Sequence, residues 1–225
     1  MTDDTANKET VEAALPVEAS AVDEVELEPT VIIVATHNQH KIGEIARTLL
    51  PLLGKPVELR PTSGKPPKED GNTFAENALI KARAAFAETG LPSISDDSGV
   101  CVEALNGEPG IRSARYTSAG TDEANRNALV EAMKGEKNRT AKFVCAVAFV
   151  SAEGERVEIG EWPGKIRAAA KGDGGFGYDP IFAPDGVPGT AAELSPTEKA
   201  ALSHRARALG QMAPAINHFL NHSAT

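Results

Sequence analysis

With 225 residues the chain can bury a sizeable core, and one domain with room for two lobes is the default expectation. Its formal charge of −9 is uneven, because residues 1–28 hold nine acids and one lysine and leave the remainder close to balance. No apolar run approaches the length of a membrane span and no basic stripe marks a nucleic-acid surface, so both are set aside as partners.

The acidic opening, residues 1–29, lacks aromatics and apolar periodicity and reads as a disordered tail. It has neither the basic start and apolar stretch of a signal peptide nor the basic character of a mitochondrial leader, so the cytoplasm is the expected compartment. Residues 30–225 form the expected folded domain. Cys101 and Cys145 sit in apolar, strand-like runs with no CxxC or histidine spacing. Free thiols fit a reducing compartment, a disulfide stays open, and a structural metal site is not indicated.

Val31 to Ala35 reads as a buried strand, a polar loop follows, and Ile42, Ile45, Ala46, Leu49 and Leu50 recur at helical spacing before Pro51. A strand, loop and helix in that order can turn loop amides toward an anion. Residues 55–72 read as a loop after a short strand near Val57. Thr73 and Glu76 form a capping box for a helix to about Thr89, with Gly90 as its stop and Leu79, Ala82 and Phe86 as its buried stripe. Ser93 to Asp96 and Gly99 to Glu103 read as two strands meeting at a bend. Thr121 caps a helix that runs past Leu129 and Met133 to Gly135. Thr140 to Val150 is a strong strand, Glu155 to Trp162 its hairpin partner, and Lys165 to Ala169 a third strand. Ser195, Pro196 and Glu198 open another helix. Lys199, His204 and Arg205 cannot share one face of an unbroken helix, since five and six steps of ~100° carry them off register. If they meet one ligand, the helix breaks near Ser203, and Pro214 kinks the second helix or marks a boundary.

Several stretches carry chemistry. Four of the six residues Gly172 to Gly177 are glycine, which admits positive φ and close approach of a ligand to the backbone; Phe176, Tyr178 and Asp179 add ring faces and a carboxylate. Such a run also serves as a plain turn. Thr36, Asn38 and Lys41 suit a phosphate, although Asn38 as a helix cap and Lys41 as a solvated charge is an equally simple reading. In Asp96-Asp97 only one of two adjacent strand carboxylates should face a cleft, where it can hold Mg²⁺ and orient a water, while the other bonds backbone amides. Glu69-Asp70 offers a second metal carboxylate from a loop, or else is a surface charge pair beside Gly71. Arg205 donates in a fixed fork and His204 can donate to an exocyclic oxygen. His37, His40, His218 and His222 show no metal spacing.

Taken in order, the segments Ala35-Thr36 through Lys41, Thr73-Phe74 through Lys81-Ala82, Asp96 to Gly99, Pro109 to Tyr116, Gly174 to Phe182, Thr190 to Leu194 and Glu198-Lys199 through Arg205 resemble the non-canonical purine nucleoside triphosphate pyrophosphatases, the inosine/xanthosine triphosphate pyrophosphatase family. The resemblance spans roughly residues 31–220. It implies an α/β, elongated, two-lobed fold with a long twisted mixed sheet flanked by helices and a central nucleotide cleft. It also implies Mg²⁺-dependent hydrolysis of ITP, dITP and XTP to the monophosphate and pyrophosphate, in a homodimer whose surface includes Arg115-Tyr116. By the resemblance, Asp97 is the general base and a metal contact, with Glu69 a second metal contact. Thr36, His37, Asn38, Gln39, His40 and Lys41, with Lys81, hold the triphosphate. Ser98 touches the substrate, and Phe176, Gly177, Tyr178, Asp179, Lys199, His204 and Arg205 grip base and sugar. His37 stands where the family often has a small residue. A pyrophosphatase for modified pyrimidine triphosphates and a nucleotide-binding regulator without chemistry remain open alternatives at this point.

Overall fold

The computed structural model describes Met1 and residues 28–222, so the expected acidic tail lies, but for its ends, outside the described residues. The elements in chain order are β1 (Thr30–Val34), α1 (Gln39–Leu49), β2 (Val57–Pro61), α2 (Phe74–Thr89), β3 (Ser93–Val102), α3 (Asp122–Ala132), β4 (Thr140–Ser151), β5 (Gly154–Ile166), β6 (Phe182–Pro184), α4 (Pro196–Leu202) and α5 (His204–His222). They build one six-stranded mixed sheet in the order β2-β1-β3-β4-β5-β6. β1 pairs in parallel with β2 and β3, and every later pairing is antiparallel. The α/β class and mixed sheet expected from the sequence are what the structure has.

Alternation along β4 divides the core. Cys145, Val147 and Phe149 face α1 and α5, packing with Ile45, Leu49, Leu209, Met212 and Ile216. Ala146, Ala148 and Val150 face α2, where Ala78 and Ala82 allow close approach. A second large cluster, around Val102, Leu129, Phe143, Trp162 and Phe182, lies toward the other end of the long strands with α3.

Four local expectations are corrected. Residues 93–102 are one continuous strand paired with β4 at all ten positions, so the acidic pair sits mid-strand rather than at a bend. Lys165 and Ile166 complete β5 instead of starting a third strand. The buried stripe of α2 centres on Ala78, Ala82 and Ala85, with Leu79 and Phe86 at its half-buried margins, because the facing strands leave room only for methyl groups. Thr73 caps α2 through the Glu76 N–H, but the Glu76 carboxylate reaches the Asn72 N–H at 2.6 Å, one residue before the cap. The helix break falls where the register argument put it: Ser203 is extended (φ −68°, ψ 163°) between α4 and α5, and α5 continues through Pro214. Gly160 lets that junction press on the sheet, since a Cβ there would lie 2.1 Å from the His204 carbonyl oxygen.

Candidate active site

β1 pairs with β3 only through Ser93 and Ile94, so β3 runs on past the end of its neighbour. Between Ile94 and Val100 that edge of β3 has no strand partner, and side chains from both sheet faces reach around it into a cleft of about 350 Å³. Ligands of open α/β sheets bind in such a crevice at the carboxyl ends of strands. The loop after β1, the inward side of α2, the glycine turn before β6 and the α4–α5 junction supply the other walls.

The adjacent aspartates divide the chemistry. Ser95 and Asp97 point to α2: the Ser95 hydroxyl donates to the Ala78 carbonyl, and Asn77 Nδ2 donates to Asp97 Oδ2 at 3.2 Å. Lys81 Nζ lies 3.5 Å from Asp97 and 3.3 Å from Glu69. Burial pushes the Asp97 carboxyl above its ordinary range, and Lys81 and Lys41 only partly oppose it. Asp96 points to the other face and is fully buried against Arg205 (2.7 Å) and Lys41 (3.2 Å). Burial alone would raise Asp96, but Arg205 and Lys41 hold it far below the usual carboxylate range. The expectation that one aspartate faces the cleft is met; the expectation that the other binds turn amides is corrected, because no turn exists there.

One cation faces two carboxylates around Lys81, leaving local negative charge. Among the described residues no group of three or more His, Cys, Asp or Glu side chains could hold a metal ion. An ion at Asp97 and Glu69 would therefore complete its shell with phosphate and water oxygens, the habit of magnesium, and this hard-oxygen donor pair fits it.

Toward the other end, Lys199 Nζ donates to Glu44 Oε1 at 2.7 Å and to Asp179 Oδ2 at 2.5 Å. Arg205 bonds Asp96, Glu44 and the Ser98 hydroxyl. Three cations (Lys41, Lys199, Arg205) thus meet three carboxylates (Glu44, Asp96, Asp179) in a balanced, largely buried network. The Arg205 fork is spent on that network rather than left free. Asp179 also accepts the Phe176 N–H at 2.8 Å, and burial raises its carboxyl despite Lys199. Gly175, at φ +68°, passes so close to Asp179 that a Cβ would lie 2.0 Å from its Oδ2.

His204 is 4 % exposed and stacked on Phe143, ring centroids 4.6 Å apart, with Trp162 beyond. Burial, with Arg205 and Lys199 nearby, drives its pKa well down, so the imidazole is neutral. Ser203 Oγ accepts the Ala206 N–H at the start of α5, and His204 Nδ1 is buried with no hydrogen-bond partner among the described residues.

The cleft wall brings together Thr36, His37, Asn38, Lys41, Glu69, Lys81, Asp97 and Ser98 with Phe176, Gly177, Tyr178, Asp179, Lys199, His204 and Arg205. Gln39 and His40 are outside it. Asn38 caps α1 by accepting the His40 and Lys41 N–H groups, and Lys41 is paired rather than solvated. His37 bonds the Gly64 carbonyl at 2.9 Å, pinning the loop after β2. Tyr178 is anchored by its hydroxyl to the Ser113 carbonyl at 2.8 Å. Two residues the sequence reading passed over matter here. Glu44 lies one turn after Lys41 on the same side of α1, and Asn77 lies one turn before Lys81 on the same side of α2; helical spacing could have flagged both.

The Ham1 family model matches residues 32–215. A dITP/XTP pyrophosphatase of Mycolicibacterium paratuberculosis is 48% identical over 196 residues, covering 82% of this chain and 95% of that protein. A protein of the same name from Mycobacterium tuberculosis is 47% identical over 197 residues, covering 83% and 95%. Among solved structures, a HAM1 protein from Coxiella burnetii aligns with a TM-score of 0.76 at 38% identity, covering 84% of this chain and 99% of that one.

Proposed function

The chain belongs to the Ham1 family, and from that premise we propose that it hydrolyses ITP, dITP and XTP to the monophosphate and pyrophosphate, clearing deaminated purines from the nucleotide pool. The observation that carries this reading is that Asp97 and the Phe176–Asp179 turn line one cleft. The relatives' printed name, dITP/XTP pyrophosphatase, supports the substrate class.

In this reading Lys41, Lys81 and the loop from Thr36 hold the triphosphate near Asp97. Asp97 accepts a proton from water as the water oxygen bonds to the α-phosphorus; the α–β bridging bond breaks and its electron pair leaves with pyrophosphate. Burial that raises Asp97 makes it a better base. Magnesium, held by Asp97 and Glu69, would offset phosphate charge and favour the departing pyrophosphate. At the other end Phe176 offers a stacking face. The neutral His204, whose buried Nδ1 has no hydrogen-bond partner among the described residues, offers a donor to a 6-keto oxygen, which adenine's amino group would leave unpaired.

A panel of ITP, dITP, XTP, GTP, ATP and modified pyrimidine triphosphates, read for pyrophosphate against orthophosphate, tests the proposal. Magnesium-dependent pyrophosphate release confined to the deaminated purines is expected. Turnover only of pyrimidine analogues, or binding without turnover, would overturn it.

A further inference from the structure

We propose that His40 is a positioning residue that stacks on Phe176 from outside the cleft and holds that ring as the platform for the base; this rests on the reading of the cleft as a nucleoside triphosphate site. The two rings lie nearly parallel, 14° apart with centroids at 5.3 Å. Phe176, Lys199 and Arg205 line the cleft and His40 does not, so the imidazole supports the ring from behind.

Phe176 needs such support. Its neighbours Gly175 and Gly177 have φ of +68° and +58°, a turn whose backbone imposes little on the side chain between them. Its ring belongs to none of the apolar clusters among the described residues. Besides His40, it meets Lys199 Nζ at 4.9 Å and the Arg205 guanidinium at 5.9 Å from its centroid. His40 is itself fixed: Asn38 Oδ1 accepts its backbone N–H at 2.9 Å. His40 and Glu44 are one helical turn apart, so α1 holds the aromatic directly through His40 and, through Glu44, the lysine that sits over it. The triphosphate loop and the base platform are thereby joined through the first turn of α1.

The test compares the full chain with His40→Ala and His40→Phe, measuring kcat and KM for ITP and the inhibition constant of inorganic tripolyphosphate, which has no base to stack. For His40→Ala, KM for ITP should rise about 2- to 12-fold, the equivalent of one aromatic pair, with kcat and the tripolyphosphate constant unchanged. His40→Phe, which keeps a ring, should restore the wild-type KM. The inference is overturned if His40→Ala leaves KM unchanged, if tripolyphosphate weakens in step with ITP, or if His40→Phe behaves like the alanine variant. Failure of the underlying functional reading shows separately, as a wild-type protein that releases no pyrophosphate from ITP. His40 is exposed, so the alanine variant should melt with the wild type.

Discussion

Asp96 and Asp97 are neighbours on one strand, and replacing each by asparagine should move stability in opposite directions. Asp96 is fully buried and pairs with Arg205 and Lys41. Its folded pKa is depressed, so its contribution is present above the unfolded carboxylate pKa and is lost as pH falls toward the folded value. Removing one partner of a buried pair costs about 3–5 kcal/mol, because the other charges are left unmatched. For a domain of this length that is a drop in Tm of about 6–20 °C at neutral pH. Asp97 has the opposite sign. Burial raises its folded pKa, so the ionised form opposes folding and its stabilisation, present at low pH, is lost as pH rises through the folded value. Asp97→Asn should therefore melt at or above the wild-type temperature while turnover falls about 10²–10⁴-fold. Calorimetric melting of the three proteins at pH 7, paired with pyrophosphate release, reads both effects. Equal destabilisation by the two substitutions, or an Asp96→Asn protein as stable as the wild type, would refute the division of labour between the two sheet faces.

Asn77 donates to Asp97, which lowers the carboxylate's pKa; Asn77→Leu should shift the acid limb of kcat/KM to higher pH, and an unmoved limb would remove Asn77 from that role. His204→Ala should narrow the ITP-to-ATP ratio of kcat/KM by about 5- to 140-fold, the cost of one unpaired buried polar group. Because His204 is held neutral, wild-type discrimination should stay flat between about pH 6 and 8, the range in which an ordinary histidine titrates. Glu69→Gln should raise the magnesium concentration for half-maximal turnover by about 10-fold or more, whereas Glu108→Gln, on the surface, should not. An unchanged requirement would take Glu69 out of the metal site.

What could be read from the chain was set by local rules. The caps at Thr73, Thr121 and Ser195, the Gly90 stop and the break at Ser203 follow from hydrogen bonds made within a few residues, and all stand in the structure. Strand alternation correctly separated Asp96 from Asp97. The mistakes came where distant partners decide. The acidic pair read as a bend between two strands, yet β4 pairs with residues 93–102 throughout, and Gly99 is small because Ser113 and the Gly110 carbonyl crowd it, not because the chain turns. The partners of Arg205, Glu44 and Asp96, lie 161 and 109 residues away and went unforeseen. No spacing rule foretells such pairings, although charge balance requires some partner for an arginine that is 1 % exposed.

The most direct test of the central claim, a water directed by Asp97 onto the α-phosphorus, is to run the hydrolysis of ITP in ¹⁸O-water and weigh the products. The label should appear in the inosine monophosphate and be absent from pyrophosphate. Label in pyrophosphate would mean attack at the β-phosphorus and would contradict the account.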